Sequence, residues 1–277
     1  LDIHKKIKNS NLSIYGGLTY NSFDIEVVDF DRFKVPSGPN GDTPNTESLY
    51  DKFSQWNVIP QQEQDGGKVA HLSAGLIYDT RNSQLNCSDG IWFESYFMYA
   101  PDLFENKAFT KHILTFRQYI EFPKSEMIFS YRVSSQQKLS GDIPFYYLPV
   151  FFDSQYNQEG LGGAYTLRGA SRNRIISDGF LLGNIELRKK LFSIPVFKLK
   201  FDIEASIFTD MATITQKYKI NDSSIPEEYN QMFINDDEAN RMIYQPMRGP
   251  WKLQNIENEK FKIYTNCFPG SEFCYFR

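Results

Sequence analysis

The sequence is short of the residues on which metal sites, disulfide scaffolds and membrane helices depend. Its three cysteines, Cys87, Cys267 and Cys274, form no C-x-x-C pair and suggest no disulfide framework. Its three histidines, His4, His71 and His112, stand at no metal-ligand spacing. No metal site is therefore expected. With a formal charge of −4, a pI near 5.5 and no basic stripe, nucleic acid is not an expected partner. Long apolar runs are missing too. The longest, FYYLPVFF at 145–152, is interrupted by Pro149 and falls well short of the ~18 residues of a spanning helix. The opening LDIHKKIKNS has no apolar leader, as expected of a mature or truncated chain if the protein is exported.

Aromatic residues, in contrast, are abundant. The 277 residues include 24 Phe and 17 Tyr, although the mean hydropathy is only −0.47. A transmembrane β-barrel combines these properties, because lipid-facing apolar residues alternate with lumen-facing polar ones and aromatics ring both interfaces. Period-two alternation recurs along the chain. It sets Leu12, Ile14, Leu18 and Tyr20 on one face, then Ala70, Leu72, Ala74, Leu76 and Tyr78, then Met127, Phe129, Tyr131 and Val133 against Ser130, Arg132 and Ser134. SFDIEVVDF (22–30) continues the first of these, and IWFESYFMYA and AFTKHILTFRQYIEF alternate less cleanly. The clearest case, VFKLKFDIEASIFTDM, puts Phe201 and Ile203 toward lipid and Lys200, Asp202 and Glu204 inward. Strands of ~11–15 residues suit a tilted membrane crossing better than a soluble β-sandwich, where ~5–6 is usual. The expected fold is all-β, a transmembrane antiparallel β-barrel over residues 1–277. Long loops are expected at about 31–68, which is polar and without period, and at about 138–179. KFKIYTNCF and EFCYFR near the end are weaker strand candidates.

Catalytic signals are poor. SQQK (135–138) has the spacing of an acyl-enzyme serine motif but lies at a strand end without partner motifs. EGLGGAY lacks the third glycine of a dinucleotide loop. The carboxylates Asp79, Glu94, Glu186 and Asp210 stand at no separation the sequence defines. The chain does not read as an enzyme.

One stretch is more specific. LPVFFDSQYNQEGLGGAYTLRGASRNRIISDGFLLGNIELRKKLF, followed by SIFTDMA and preceded by YDTRNSQLNCSDGIWFE, resembles the BamA/TamA-type outer-membrane assembly and translocation barrels. Those carry a Gly-Gly…Leu-Arg-Gly loop, a strand with Glu-Leu-Arg, a Phe-x-Asp-x-Gly strand and an Asp-x-Arg hairpin. The matching residues are Gly162, Gly163, Arg168, Gly169, Glu186, Phe208, Asp210, Asp79 and Arg81. The sequence departs from the pattern at Ala170, where an aromatic is usual, at Ala212, in place of glycine, and in its CYFR end. A complete family barrel has 16 strands and is preceded by POTRA domains, so a partial barrel or a POTRA-less relative is expected.

Alternation puts Asn184, Glu186 and Arg188 opposite Leu181, Gly183, Ile185 and Leu187, so Glu186 and Asp210 share the lumen face of neighbouring strands. Two carboxylates so placed favour a cation between them. Arg168, on a loop made pliable by Gly160, Gly162, Gly163 and Gly169, can supply its planar fork. The resemblance implies that this loop-to-wall contact fixes the lumen loop of an assembly factor that has no cofactor. The factor would sit in the bacterial outer membrane among outer-membrane lipid, act on client outer-membrane proteins and associate with periplasmic or lipoprotein subunits. The alternatives are a structural or pore-forming barrel, and the barrel anchor of a larger exported protein.

Overall fold

The structure, a computed structural model, describes residues 1–26, 49–104, 106–155, 160–170, 172–173, 175–196, 199–219 and 262–264. These form one antiparallel sheet whose strands follow in chain order: β1 (Asp2–Lys6), β2 (Leu12–Asp24), β3 (Gly66–Asp79), β4 (Gly90–Ala100), β5 (Phe109–Phe122), β6 (Met127–Gly141), β7 (Gly179–Val196), β8 (Leu199–Gln216) and β9 (Lys262–Tyr264). Neighbours in sequence pair in space, which keeps each closure local. β2 is one continuous strand where the alternation showed two segments. β1 and the short β9 occupy the two ends of the strand order. EFCYFR lies outside the described residues.

The strands separate outward and inward residues as their alternation requires. Ile14, Leu18, Tyr20, Leu72, Leu76, Phe97, Tyr99, Ile185 and Ile207 are exposed, while Tyr15, His71, Ser73, Glu94, Tyr96, Thr115, Ser134 and Asp210 are buried. An apolar outer face and a polar-tolerant inner face are what lipid outside and a lumen inside demand. Phe201 pairs with Ile194 and Ile203 with Phe192 on this outer face. The side chain of Lys200 lies outside the described residues.

The connections 7–11, 80–89 and 123–126 lie at one end of the sheet; at the other lie the connections 25–65, 101–108 and 142–178. The first of these is not featureless, since α1 (Leu49–Gln55) and a 3-10 turn (Gln61–Glu63) precede β3. Six strands precede the third connection, which turns inward instead of out into solvent. Ile143, Tyr146, Tyr147, Leu148 and Phe152 pack on Val69, Trp92, Tyr96, Met98, Phe109 and Ile113 of the wall. Phe151, Leu161, Leu167 and Ile175 form a second cluster with Phe180 and Leu182. Where the connection rejoins the wall, the Gln216 side-chain amide accepts from Lys138 N–H (2.9 Å) and donates to its carbonyl (3.0 Å). Gly179 lies beneath that clasp, and any Cβ there would come within 2.6 Å of the Gln216 oxygen.

Candidate functional site: a loop seated on the inner wall

The turn that carries Arg168 owes its shape to glycine and to one hydroxyl. Gly162, Gly163 and Gly169 have φ of 103°, 104° and 114°, a region that disfavours any Cβ. Gly160 serves a different purpose: a Cβ there would be 1.8 Å from the Pro149 carbonyl oxygen. The Thr166 hydroxyl donates to Gly160 O (2.7 Å) and accepts from Gly162 N–H (3.1 Å). Ala170 N–H donates to Leu167 O, and Gly163 N–H to Ala170 O. Leu167 is buried in the second cluster, which leaves Arg168 facing the wall.

Arg168 meets both carboxylates that the alternation placed on the inner face. Its Nη2 and Nε donate to Asp210 Oδ1 and Oδ2 at 2.8 and 2.9 Å, a bidentate fork, and its backbone N–H adds a third bond to Oδ2 at 2.8 Å. Nη1 donates to Glu186 Oε2 at 2.8 Å. The guanidinium carbon sits 3.5 Å from the Phe208 ring centroid, so the cation rests on an aromatic face as well. Burial pulls the Arg168 pKa down, but the hydrogen bonds and charges of Asp210 and Glu186 outweigh it and hold it above its ordinary value. Asp210 is 1% exposed in its side chain, whereas Arg168 and Glu186 are 25% and 26% exposed. The contact is thus dry at one carboxylate and wetter at the other.

Further wall residues complete the seat. Asn184 Nδ2 donates to Asp210 Oδ1 and to Thr166 O, both at 2.7 Å. Arg132 donates through Nε to Asn184 Oδ1 (2.8 Å) and through Nη2 to Tyr165 O. Arg188 approaches Glu186 at 3.8 Å and donates to Cys87 O at 2.8 Å. The other motif pair closes on itself: Arg81 donates to both oxygens of Asp79 (3.0 and 3.2 Å) and lies over the Trp92 ring. It shapes the β3–β4 turn. Among the described residues, no cluster of histidine, cysteine and carboxylates has the form of a metal site.

Sequence reasoning missed a second group. Asp153 pairs with Arg117, and Ser154 donates its hydroxyl and its N–H (3.2 Å) to Glu94. In the sequence Glu94 is only one more carboxylate at no defined separation from the others. Its signal was an acidic residue in the middle of an aromatic strand.

The Omp85 superfamily domain matches residues 2–232. The chain belongs to the Omp85 superfamily. Its fold is similar to that of BamA from Haemophilus ducreyi lacking POTRA domains 1–3, with a TM-score of 0.50 and 16% identity over 84% of this chain and 42% of that one. The chain therefore spans less than half the length of that neighbour, and at such identity the likeness concerns the fold. No curated protein matches the sequence. The superfamily is one of outer-membrane β-barrels of protein assembly and translocation.

Proposed function

We propose that this Omp85 chain is a single barrel domain, residues 1–277, of the Gram-negative outer membrane. It would help other outer-membrane proteins to insert or cross, with the Arg168 loop as the part that must be held on the wall. The observation that carries this reading is the seat of Arg168: one guanidinium satisfied by a bidentate Asp210, by Glu186 and by the Phe208 ring. A solvated loop arginine needs none of these, and the positive φ of Gly162, Gly163 and Gly169 is what a tight fold-back of the chain requires. The clients are unfolded outer-membrane proteins, and periplasmic or lipoprotein subunits are the expected helpers. Aromatic packing of 143–152 against the inner wall counts against an open-pore reading.

The test is reconstitution. Liposomes holding the full chain receive a urea-unfolded small outer-membrane barrel, and its folding is followed by heat-modifiable gel migration. The chain should speed folding over empty liposomes, and Arg168→Ala should remove most of that gain while still inserting. No acceleration by the parent protein would reject the assembly reading.

A further inference from the structure

The inner wall carries a charge arrangement that the Arg168 seat draws on only through Arg132. On β4 and β5, Trp92 pairs with Arg117 and Glu94 with Thr115; on β5 and β6, Arg117 lies directly across from Arg132. Two arginines opposed on one face of a ladder repel each other and call for an anion. Glu94 is fully buried, and a buried carboxylate is costly unless its oxygens are hydrogen-bonded. The connection between β6 and β7 meets part of these demands: it supplies an anion to Arg117 and donors to Glu94 Oε2, while Glu94 Oε1 stays without a hydrogen-bond partner. Asp153, 2% exposed, pairs with Arg117, while Ser154 gives Glu94 two donors. One residue earlier, the Gln136 amide of β6 donates to Phe152 O (2.9 Å) and accepts from Phe152 N–H (3.4 Å). Three consecutive loop residues are thus held by polar side chains of three consecutive strands.

We infer that Glu94 and Arg117 are positioning residues of a second fastening, which holds the base of the loop at Asp153–Ser154 independently of the Arg168 seat. The hydrogen bonds described for the two fastenings use different wall residues, although Arg132 of the tip lies across from Arg117 of the base. The tip at 160–170 is held by Arg132, Asn184, Glu186 and Asp210, and the base by Glu94, Arg117 and Gln136. Their apolar supports differ as well. Phe152 packs in the cluster with Tyr147 and Met98, while its neighbour Phe151 packs with Leu161, Leu167 and Phe180. The chain passes from one support to the other between these two residues. Release of the tip therefore leaves the base seated, and the lumen stays filled while the tip moves. The inference rests on loop geometry and stands whether or not the barrel assembles clients.

Hydrogen–deuterium exchange on the full chain in detergent micelles tests it, since the two segments fall in separate peptides. Glu94→Ala should raise exchange over 150–155 by about tenfold and leave 160–170 within about twofold of the parent. Arg168→Ala should do the reverse. Glu94→Gln should stay near the parent over 150–155, because its amide oxygen still accepts from Ser154. Ser154→Ala leaves the wall intact, so it keeps the test available if Glu94→Ala does not fold, and it should open the base at smaller amplitude. Equal opening of both segments by either Glu94→Ala or Arg168→Ala would overturn the inference. So would a base that responds to neither Glu94→Ala nor Ser154→Ala.

Discussion

Removing the Arg168 side chain should weaken the loop's seat unequally at its two carboxylates. Arg168→Ala deletes the fork to Asp210, the bond to Glu186 and the stack on Phe208. Breaking a fully buried pair by removing one partner costs ~3–5 kcal/mol. Asp210 is not left bare, because the backbone N–H of residue 168 and Asn184 Nδ2 still reach it at 2.8 and 2.7 Å. That lowers the expected cost to ~2–3 kcal/mol, mostly through Asp210. Glu186 is about a quarter exposed and has Arg188 at 3.8 Å, so its share should be only ~0.5–1 kcal/mol. A double-mutant cycle separates the two shares: Arg168→Ala with Asp210→Asn, and Arg168→Ala with Glu186→Gln, each read by urea unfolding in micelles through tryptophan emission. Coupling to Asp210 should exceed coupling to Glu186 by about twofold or more. Arg168→Lys should recover about half, having the charge without the fork. A Glu186 coupling equal to or larger than that of Asp210 would show that burial does not govern this contact.

Three further outcomes are expected. Ile207→Arg, at a position 66% exposed on the outer face, should cost ~2–4 kcal/mol if it lies near the midplane, while Ser206→Arg on the inner face should cost clearly less in the same titration. Gly160→Ala forces a Cβ toward the Pro149 carbonyl and should raise exchange over 160–170 much as Arg168→Ala does. The Glu63 carboxyl accepts from Phe145 N–H at 2.5 Å, and burial raises its pKa above the ordinary carboxylate value. The folded state therefore binds that proton more tightly than the unfolded state. Stability should rise as pH falls from the raised folded value toward the ordinary one, and Glu63→Gln should flatten that rise in thermal unfolding scans.

What the sequence revealed depended on how each wall was covered. Where lipid lay on one side and polar groups on the other, alternation set the faces correctly, as in β3 with Leu72, Ala74, Leu76 and Tyr78 outward. The contact of Arg168 with Glu186 and Asp210 was legible for the same reason: both carboxylates lie on strands whose inner face stays polar. IWFESYFMYA alternated poorly because both of its faces are largely apolar, and AFTKHILTFRQYIEF because both of its faces mix apolar with polar residues. Phe97 and Tyr99 face outward, while Trp92, Tyr96 and Met98 face the aromatic base of the loop. That covering concealed Glu94 and Arg117, whose partners are about 60 and 36 positions away and carry no periodic signal. The 3-10 turn at Gln61–Glu63 and the helix Leu49–Gln55 were missed because both are too short to show a period.

One strand, β8, answers for both ends of the loop's travel. Asp210 holds the tip, and Gln216, further along the same strand, clasps Lys138 where the loop leaves and rejoins the wall. Phe208 lies beneath the tip's guanidinium. Lateral force that draws β8 away from β7 loads the tip contact and the root clasp in parallel, so neither can be unloaded by that motion while the other stays taut. The base, tied to β4, β5 and β6, lies outside that load path. Displacement of a single strand near the far edge of the sheet thus becomes a concerted slackening of one half of the loop.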